Sequence, residues 1–273
     1  MQFKTAQGAD VPEIGLGTYT LIGKECKKTV LNALEIGYRH IDTAQIYQNE
    51  REIGEALYTS GIEREEIFLT TKVWYTNLEH DAVLQSVEDS LRYLKTPYVD
   101  LLLIHWPNKQ YSLVQTFEAL LTLKDQGKVL NIGVSNFPPG LTRYVIEDLR
   151  IPVFTNQVEF HPFLSQFDLL DLTYDNDFLL TAYSPLAKGD VFLNETLNRI
   201  AAEYGKTAGQ IALRWLIEQE NVIAIPKATT AEHLRENIDL YDFELSDEHF
   251  DEIDQLDKTR RISNPSFAPD WDY

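Results

Sequence analysis

The chain has 273 residues, 44% hydrophobic and 11% aromatic, which excludes the composition of a disordered protein and allows a large core. Its formal net charge of −19 repels nucleic acid and anionic lipid, so we expect neither nucleic acid nor a membrane as a partner. The single cysteine, Cys26, excludes an intramolecular disulfide and fits a reducing compartment.

We expect a cytoplasmic protein, from the single cysteine, the N-terminal residues and the short apolar runs. Residues 1–5 lack the apolar stretch of a signal peptide. Apolar runs such as Leu101–Ile104 are far too short to cross a bilayer. The acidic surface favours solubility and also suits a salty or crowded cytoplasm, and we expect a monomer.

Short β-rich runs alternate with amphipathic helical patterns over most of the chain. The predicted strands are Ile14–Thr18, His40–Thr43, Phe68–Val73, Val99–His105, Asn131–Ser135, Phe154–Glu159, Leu179–Tyr183 and Val222–Pro226. The predicted helices are Lys27–Ile36, Asn49–Ser60, Asp81–Leu94, Leu113–Gln126, Leu141–Leu149, Asp168–Asp175, Ala208–Glu218 and Ala231–Leu240. Such alternation is typical of parallel strands joined by crossover helices, and eight units predict a closed α/β fold, the (β/α)8 TIM barrel.

Further segments flank the eight units. Phe3–Pro12 contains a plausible turn at Gln7-Gly8-Ala9-Asp10 and predicts an N-terminal β-hairpin. Asp247–Leu256 predicts an extra C-terminal helix, and the proline-containing tail Asn264–Tyr273 predicts a loop. Since no low-complexity linker interrupts the chain, we expect a single domain over residues 1–273.

The Gly15-Leu16-Gly17 segment invites comparison with a dinucleotide-binding fold. That interpretation fails, because no third glycine follows at the required spacing and no acidic residue lies at the right distance on a second strand. We expect these glycines to allow close packing where the first barrel strand ends.

Polar side chains follow the ends of three consecutive predicted strands. Asp42 ends the second strand, and Tyr47 lies in the loop after it. Lys72 lies near the end of the third strand and His105 at the end of the fourth. Active sites of such barrels lie at the carboxyl ends of the strands, which are about 4.8 Å apart, so these four side chains can converge.

Each of the four has a role in carbonyl reduction. We expect Lys72 to stabilise the phenolate of Tyr47 and so to lower the pKa of its hydroxyl. Asp42 would compensate the buried charge of Lys72, and His105 would orient a substrate carbonyl by a hydrogen bond. Tyr47 would then donate a proton to the carbonyl oxygen while a hydride arrives from elsewhere.

Taken singly, these residues also have structural interpretations. An aspartate in a loop is often a helix cap, a strand lysine can form a bridge, and a histidine before Trp-Pro can belong to the core. Their placement on consecutive strand ends favours catalysis. A metal site is a weaker alternative, because the six histidines form no ligand-spaced cluster, and we expect no metal.

The chain resembles the aldo-keto reductase family over nearly its whole length. Gly37–Gly54 matches the first signature of that family, Ile132–Phe137 the core of the second, and Ile225–Lys227 with Glu236-Asn237 much of the third. The resemblance implies that Asp42, Tyr47, Lys72 and His105 are the catalytic tetrad, with Tyr47 as general acid. It also implies NADPH bound at the barrel mouth without a dinucleotide-binding fold.

The resemblance also implies a set of cofactor contacts. Ser135, Asn136 and Gln157 would hold the nicotinamide carboxamide, and Tyr183 would stack on its ring. Thr18 and Asp42 would approach the ribose, and Ser184, Leu186 and Lys188 the pyrophosphate. Lys227, Thr229, Glu236 and Asn237 would surround the 2′-phosphate and adenine, together with His233.

Three positions depart from the family pattern, namely Leu130, Ala228 and His233, where the family usually has a basic residue, a hydroxyl and an arginine. The last two changes remove a hydroxyl and a guanidinium from the expected 2′-phosphate pocket. We therefore predict a weakened preference for NADPH, with NADH also used. Because Lys227 is retained, we still expect NADPH to bind more tightly.

The substrate pocket is less defined. Tyr19, Trp74 and Trp106 are candidate walls. The short ending, especially Ala268–Asp272, resembles bacterial 2,5-diketo-D-gluconic acid reductases, which act on keto-sugar acids, methylglyoxal and small aldehydes. Trp271 either belongs to this resemblance or packs against the barrel.

Two other functions are alternatives to a reductase. One is a redox-sensing regulatory subunit that binds the cofactor with little turnover; the complete tetrad argues against it. The other is an unrelated barrel hydrolase or isomerase. The lack of paired catalytic carboxylates and of metal-ligand clusters argues against that class.

Overall fold

A computed structural model describes residues 2–271 of the chain. Its strands are β1 Phe3–Ala6, β2 Ala9–Pro12, β3 Leu16–Gly17, β4 His40–Asp42, β5 Phe68–Val73, β6 Val99–Ile104, β7 Val129–Ser135, β8 Val153–Glu159, β9 Leu179–Tyr183 and β10 Val222–Ala224. Its α-helices are α1 Gly23–Ile36, α2 Glu50–Ser60, α3 His80–Leu94, α4 Leu113–Asp125, α5 Pro139–Arg143, α6 Phe167–Asp175, α7 Glu195–Tyr204, α8 Ala208–Glu218, α9 Ala231–Ile238 and α10 Asp247–Asp254. That residues 1–273 form one domain stays a prediction, and Met1, Asp272 and Tyr273, including the end of the predicted tail loop, lie outside the described residues.

Strands β3 to β10 form one parallel sheet in which each strand pairs with its neighbours along the chain. The first and last strands also meet. The backbone N–H of Gly15 donates to the carbonyl of Ala224 at 2.9 Å, and that of Gly17 donates to the carbonyl of Pro226 at 3.0 Å. These bonds close the sheet, so the predicted (β/α)8 barrel is confirmed.

Two glycines, Gly17 at the end of β3 and Gly15 just before β3, allow this closure. A Cβ atom on Gly17 would lie 2.6 Å from the carbonyl oxygen of Ile225, and one on Gly15 would lie 2.6 Å from the ring of His40. Both distances are shorter than real Cβ contacts, so a side chain would push the strands apart. The predicted close packing is confirmed.

The N-terminal hairpin closes one end of the barrel. Strands β1 and β2 are antiparallel, as predicted, and Ala6 and Val11 are buried against the barrel-interior residues Leu103, Phe154 and Ile223. The apolar contact between hairpin and barrel excludes water from the amino ends of the strands. The opposite end of the barrel, at the carboxyl ends of the strands, is not covered by the hairpin.

Several boundaries differ from the sequence predictions. Helix α7 was not predicted; its buried residues Leu197, Ile200 and Ala201 have helical spacing, and Asn194 caps its first turn by accepting from the Leu197 amide. The single helix predicted over Leu141–Leu149 is instead α5 followed by a π-helix over 144–148. The first barrel strand has only two ladder residues rather than five.

The extra C-terminal helix is confirmed as α10, although it ends two residues before the predicted boundary. In the described part of the chain, no helix combines the length and the hydrophobicity that crossing a membrane requires.

Candidate active site

The four predicted catalytic residues converge at the carboxyl end of the barrel. Asp42 is the last residue of β4, Lys72 lies in β5 and His105 directly follows β6. All three are buried, and the side chain of Lys72 is fully inaccessible. Asp42 pairs with Thr70 and Lys72 with Leu103, so each of the three residues is offset by two positions from the one before it; because side chains alternate along a strand, all three lie on the same face, at the carboxyl end of the barrel.

Lys72 connects the other members. Its Nζ donates to Asp42 Oδ1 at 2.5 Å, to the Thr43 carbonyl at 2.9 Å and to the Tyr47 hydroxyl at 3.4 Å. Gln157 donates from Nε2 to the other oxygen, Asp42 Oδ2, at 2.7 Å. The predicted ion pair is therefore present, and its charges are compensated and hydrogen-bonded in a place that water does not reach.

A short turn presents Tyr47 to Lys72. The residues 45–47 form a 3₁₀ turn, and the fully buried Asn49 braces it from behind. Asn49 donates to the carbonyls of Thr18 at 3.0 Å and Leu21 at 2.9 Å, and accepts from the Thr43 hydroxyl at 2.6 Å. Gln45 accepts from the Trp74 amide at 3.1 Å. Sequence analysis missed both residues, since their partners lie on other segments.

Burial is the largest cause of the pKa shifts of Tyr47 and His105. It raises the pKa of Tyr47 well above its ordinary value, and the nearby Asp42 raises it further. The net pKa of Tyr47 is therefore raised and not, as expected, lowered. Burial and then Lys72 hold the pKa of His105 well below its usual value. At neutral pH the site thus holds a protonated phenol and a neutral imidazole, two groups that can each donate a hydrogen bond.

The residues expected to hold the nicotinamide form one hydrogen-bonded cluster beside the tetrad. The Tyr183 hydroxyl donates to Asn136 Oδ1 at 2.8 Å, and Asn136 Nδ2 donates to the His105 carbonyl at 3.0 Å. The Ser135 hydroxyl donates to the Gln157 carbonyl at 2.8 Å. On the other side, the Thr18 hydroxyl donates to the Asp42 carbonyl at 2.8 Å.

The residues expected around the rest of the cofactor lie at the rim. Ser184, Leu186 and Lys188 occupy a tight turn after β9, with positive φ at Ser184 and Lys188. Lys227 is exposed and donates to the Thr20 hydroxyl at 2.9 Å.

Four further rim positions belong to α9 or precede it. Thr229 and His233 are exposed, Glu236 is half-buried and Asn237 is buried. The His233 amide donates to the capping hydroxyl of Thr230 at 3.2 Å, which places His233 in the first turn of α9.

The polar groups of the cluster are of the kind that bind an amide. His105 Nδ1 is buried and has no hydrogen-bond partner among residues 2–271. The amides of Asn136 and Gln157 and the hydroxyl of Ser135, which bond to neighbouring groups here, are donors and acceptors of the kind that a carboxamide pairs with. These residues therefore fit the nicotinamide end of a cofactor.

Aromatic rings surround the tetrad. The Tyr19 ring lies 5.1 Å from that of Tyr47, and the Trp74 ring lies 5.2 Å from that of His105, measured between centroids. Trp106 is almost fully buried. The three predicted pocket walls are thus positioned beside the tetrad, directly or through further rings.

The C-terminal tail supplies a wall that sequence analysis missed. Phe267 stacks on Tyr75 at 4.3 Å and meets Trp74 and Trp106 edge-on at 5.6 Å each. Trp271 lies 6.2 Å from Trp106. Trp271 therefore packs against a pocket wall of the barrel. No local pattern in the sequence marks Phe267, because its contacts depend on the path of the tail.

Known proteins with similar sequences belong to one family. The sequence profile of the Aldo/keto reductase family matches residues 13–258. A glyoxal reductase of Bacillus subtilis is 41% identical over 264 residues, covering 96% of this chain and 95% of the relative. A methylglyoxal reductase of Yersinia pestis is 39% identical over 262 residues, covering 95% of this chain and 94% of the relative.

A solved structure provisionally assigned as a 2,5-diketo-D-gluconic acid reductase B superimposes with a TM-score of 0.97 at 42% identity, over 100% of this chain and 98% of that one. The chain belongs to the aldo/keto reductase family. The resemblance inferred from the signatures is confirmed.

Proposed function

We propose that the protein is an NAD(P)H-dependent reductase that converts aldehydes and ketones to alcohols, with Tyr47 as the general acid. The observation that carries the proposal is the hydroxyl of the half-buried Tyr47, which lies 3.4 Å from the ammonium of Lys72. Burial keeps this hydroxyl protonated until it is needed. The names of the relatives support carbonyl reduction.

In the proposed reaction, His105 and Tyr47 act on the carbonyl oxygen. The neutral imidazole of His105 donates a hydrogen bond that orients the carbonyl, and the proton of Tyr47 passes to the oxygen as negative charge develops there. The O–H bond of Tyr47 breaks and that of the product alcohol forms. Lys72 then stabilises the Tyr47 phenolate, and Asp42 fixes Lys72 in place.

The cofactor would lie across the carboxyl ends of the strands. Ser135, Asn136 and Gln157 would hold its carboxamide, Tyr183 would support its ring, and Thr18 would lie near its ribose. When bound, the reduced nicotinamide supplies the hydride. We propose NADPH as the preferred cofactor because Lys227 is available at the rim, with NADH also used because Ala228 and His233 weaken recognition of the 2′-phosphate.

We propose small carbonyl compounds as substrates, namely keto-sugar acids such as 2,5-diketo-D-gluconate, methylglyoxal and small aldehydes. The Trp74 ring lies next to His105, and Phe267 packs edge-on against Trp74 and Trp106; such an aromatic wall favours compact molecules. The relatives named for glyoxal, methylglyoxal and 2,5-diketo-D-gluconic acid support these classes of substrate.

The test is the loss of NADPH absorbance after addition of methylglyoxal, glyoxal or a keto-sugar acid, repeated with NADH. We expect turnover with both cofactors and a loss of at least about a hundredfold in Tyr47→Phe. If the protein binds NADPH, as followed by cofactor fluorescence, but reduces no member of the panel, the reductase proposal fails in favour of the regulatory subunit.

A further inference from the structure

The last residue of β8, Glu159, carries a fully buried carboxylate that takes no part in the proposed reaction. Its Oε1 accepts from the Ile262 amide at 2.7 Å and faces His161 Nε2 at 3.0 Å. Its Oε2 accepts from the Ser263 amide at 2.6 Å. Two of these three donors are backbone amides of the segment after α10.

The histidine has a fixed role in this arrangement. His161 is fully buried, and its Nδ1 accepts from the Phe163 amide at 3.2 Å. Because Nδ1 is the acceptor, Nε2 carries the proton and donates to Glu159. A buried carboxylate is costly unless it is hydrogen-bonded, so the tail amides and the carboxylate stabilise each other.

From this attachment the tail, defined here as residues 258–271, continues to the substrate pocket. Burial raises the pKa of Tyr183, and the side chain of Ser263 in this segment opposes that rise. Four residues later, Phe267 stacks on Tyr75 and contacts Trp74 and Trp106. Four residues span at most about 14 Å, so the position of Ser263 limits how far Phe267 can move from the pocket.

Other polar attachments of the tail are more exposed. Arg260 pairs with Asp190 at 2.5 Å, but the arginine side chain is 60% exposed. The pair of Lys109 with Asp270, at 3.3 Å, is 90% and 98% exposed. Exposed ion pairs contribute little to stability, whereas hydrogen bonds to a buried carboxylate contribute more.

We propose that Glu159 is a positioning residue that sets the KM for the carbonyl substrate by holding the tail so that Phe267 closes the pocket. This inference rests on the proposed reductase function. Within residues 2–271 the hydrogen bonds of the Glu159 carboxylate go to His161 and to two tail amides, and Glu159 lies beside Tyr183 on the neighbouring strand, so the tail connects it to Phe267. With the anchor in place, the last attached backbone position before Phe267 is Ser263. Without it, that position would be Arg260, whose amide donates to the Phe163 carbonyl at 2.9 Å, so the unattached segment would be longer.

The experiment compares Glu159→Gln, Glu159→Asp, Phe267→Ala and the double variant Glu159→Gln/Phe267→Ala, with Lys109→Ala as the control in an exposed tail contact. In Glu159→Gln, an NH₂ group replaces one carboxylate oxygen and so faces a backbone amide that is also a donor. In Glu159→Asp, the charge remains but the carboxylate lies one methylene farther from the tail amides. We expect KM to rise about threefold to tenfold in Glu159→Gln and Phe267→Ala, with kcat within about twofold. Lys109→Ala should leave both constants unchanged.

Two results separate positioning from general destabilisation. In the Phe267→Ala background, Glu159→Gln should change KM by less than about twofold, because the ring that the anchor positions is absent. Additive effects on KM, or an unchanged KM in both Glu159 variants, overturn the proposal. If Glu159→Gln fails to fold, the same comparison is made with Glu159→Asp.

Limited trypsinolysis gives a readout that does not depend on turnover. Arg260 and Arg261 lie next to the anchored amides, so release of the tail should speed cleavage after them in the Glu159 variants, followed by mass spectrometry. Unchanged cleavage overturns the anchor. If the wild-type protein reduces no carbonyl compound, the proposed function fails, while the cleavage rates still decide whether Glu159 holds the tail.

Discussion

The Nζ atom of Lys72 lies 3.4 Å from the hydroxyl oxygen of Tyr47 and 5.0 Å from the centre of its ring. The two groups meet in a site from which Lys72 has no exposure to water. In the resting protein, burial of Tyr47 outweighs this positive charge, so the phenol stays neutral. Once the proton has left, the ammonium faces a phenolate at short range, where a fixed charge is most effective.

Removal of the Tyr47 hydroxyl should strongly slow carbonyl reduction with little effect on folding. Tyr47→Phe keeps the ring contacts with Tyr19 and His105 but has no proton to donate. We expect kcat to fall by about 10² to 10⁴, the usual contribution of general acid catalysis. Steady-state kinetics measure the fall, and NADPH fluorescence titration serves as the control for cofactor binding. Retention of the wild-type rate would show that another group supplies the proton.

Breaking the buried ion pair should cost stability as well as activity. Within residues 2–271, Lys72→Met leaves the buried carboxylate of Asp42 with the hydrogen bond from Gln157 alone, so we expect the free energy of unfolding to fall by about 3–5 kcal/mol. The double variant Asp42→Asn/Lys72→Met removes the uncompensated charge and should recover part of this loss. Urea unfolding at one pH compares the three proteins. A double variant less stable than Lys72→Met would contradict the explanation.

The positions of the tetrad could be predicted because they follow from short-range rules. Parallel strands end at the same face of a barrel, so Asp42, Lys72 and His105 had to lie near one another once the strands were recognised. The same rules did not give the pKa of Tyr47. Its direction depends on the depth of burial, which is a property of the whole fold.

The missed features depend on long-range contacts or on irregular connections. Asn49 braces the Tyr47 turn through carbonyls 28 and 31 residues away in the sequence. Phe267 reaches the pocket because Glu159 holds the tail across the barrel mouth. Helix α7 precedes α8 in the connection from β9 to β10, where a strict β/α alternation predicts one helix.

A buried histidine beneath the tetrad should make stability depend on pH. His40 is almost fully buried in the barrel, and burial lowers its pKa to about 4, although Asp42 opposes the shift. The unfolded chain binds a proton near the ordinary pKa of about 6.5, so acid favours the unfolded state. The stability is therefore fully present above about pH 6.5 and declines as the pH falls toward 4.

The contribution of His40 should amount to about 2 kcal/mol of unfolding free energy between pH 7 and pH 5. Urea unfolding of the wild type and His40→Leu at the two pH values isolates it, since His105 and the carboxylates are common to both proteins. We expect the variant to lose less stability than the wild type on acidification. An equal loss in the two proteins would show that His40 does not titrate in this range.

The rim around α9 should control the choice between NADPH and NADH. Ala228 is buried and has no hydroxyl, and the exposed His233 lies in the first turn of α9. In Ala228→Ser/His233→Arg, a guanidinium can bind the 2′-phosphate with two charge-assisted hydrogen bonds. We expect the ratio of kcat/KM for NADPH to that for NADH to rise about tenfold to hundredfold, with kcat for the carbonyl substrate little changed.

His80→Arg provides a matched control for this change of charge, because His80 is the first residue of α3 and is not among the residues expected to hold the cofactor. It should leave the cofactor ratio within about twofold of the wild type, whereas a general effect of added positive charge would raise the ratio in both variants. A wild-type preference for NADPH above about a thousandfold, which corresponds to about 4 kcal/mol, would mean that Ala228 and His233 do not weaken the pocket. In that case Lys227, which is exposed at the rim, together with the amides at the start of α9 would be sufficient for recognition of the phosphate.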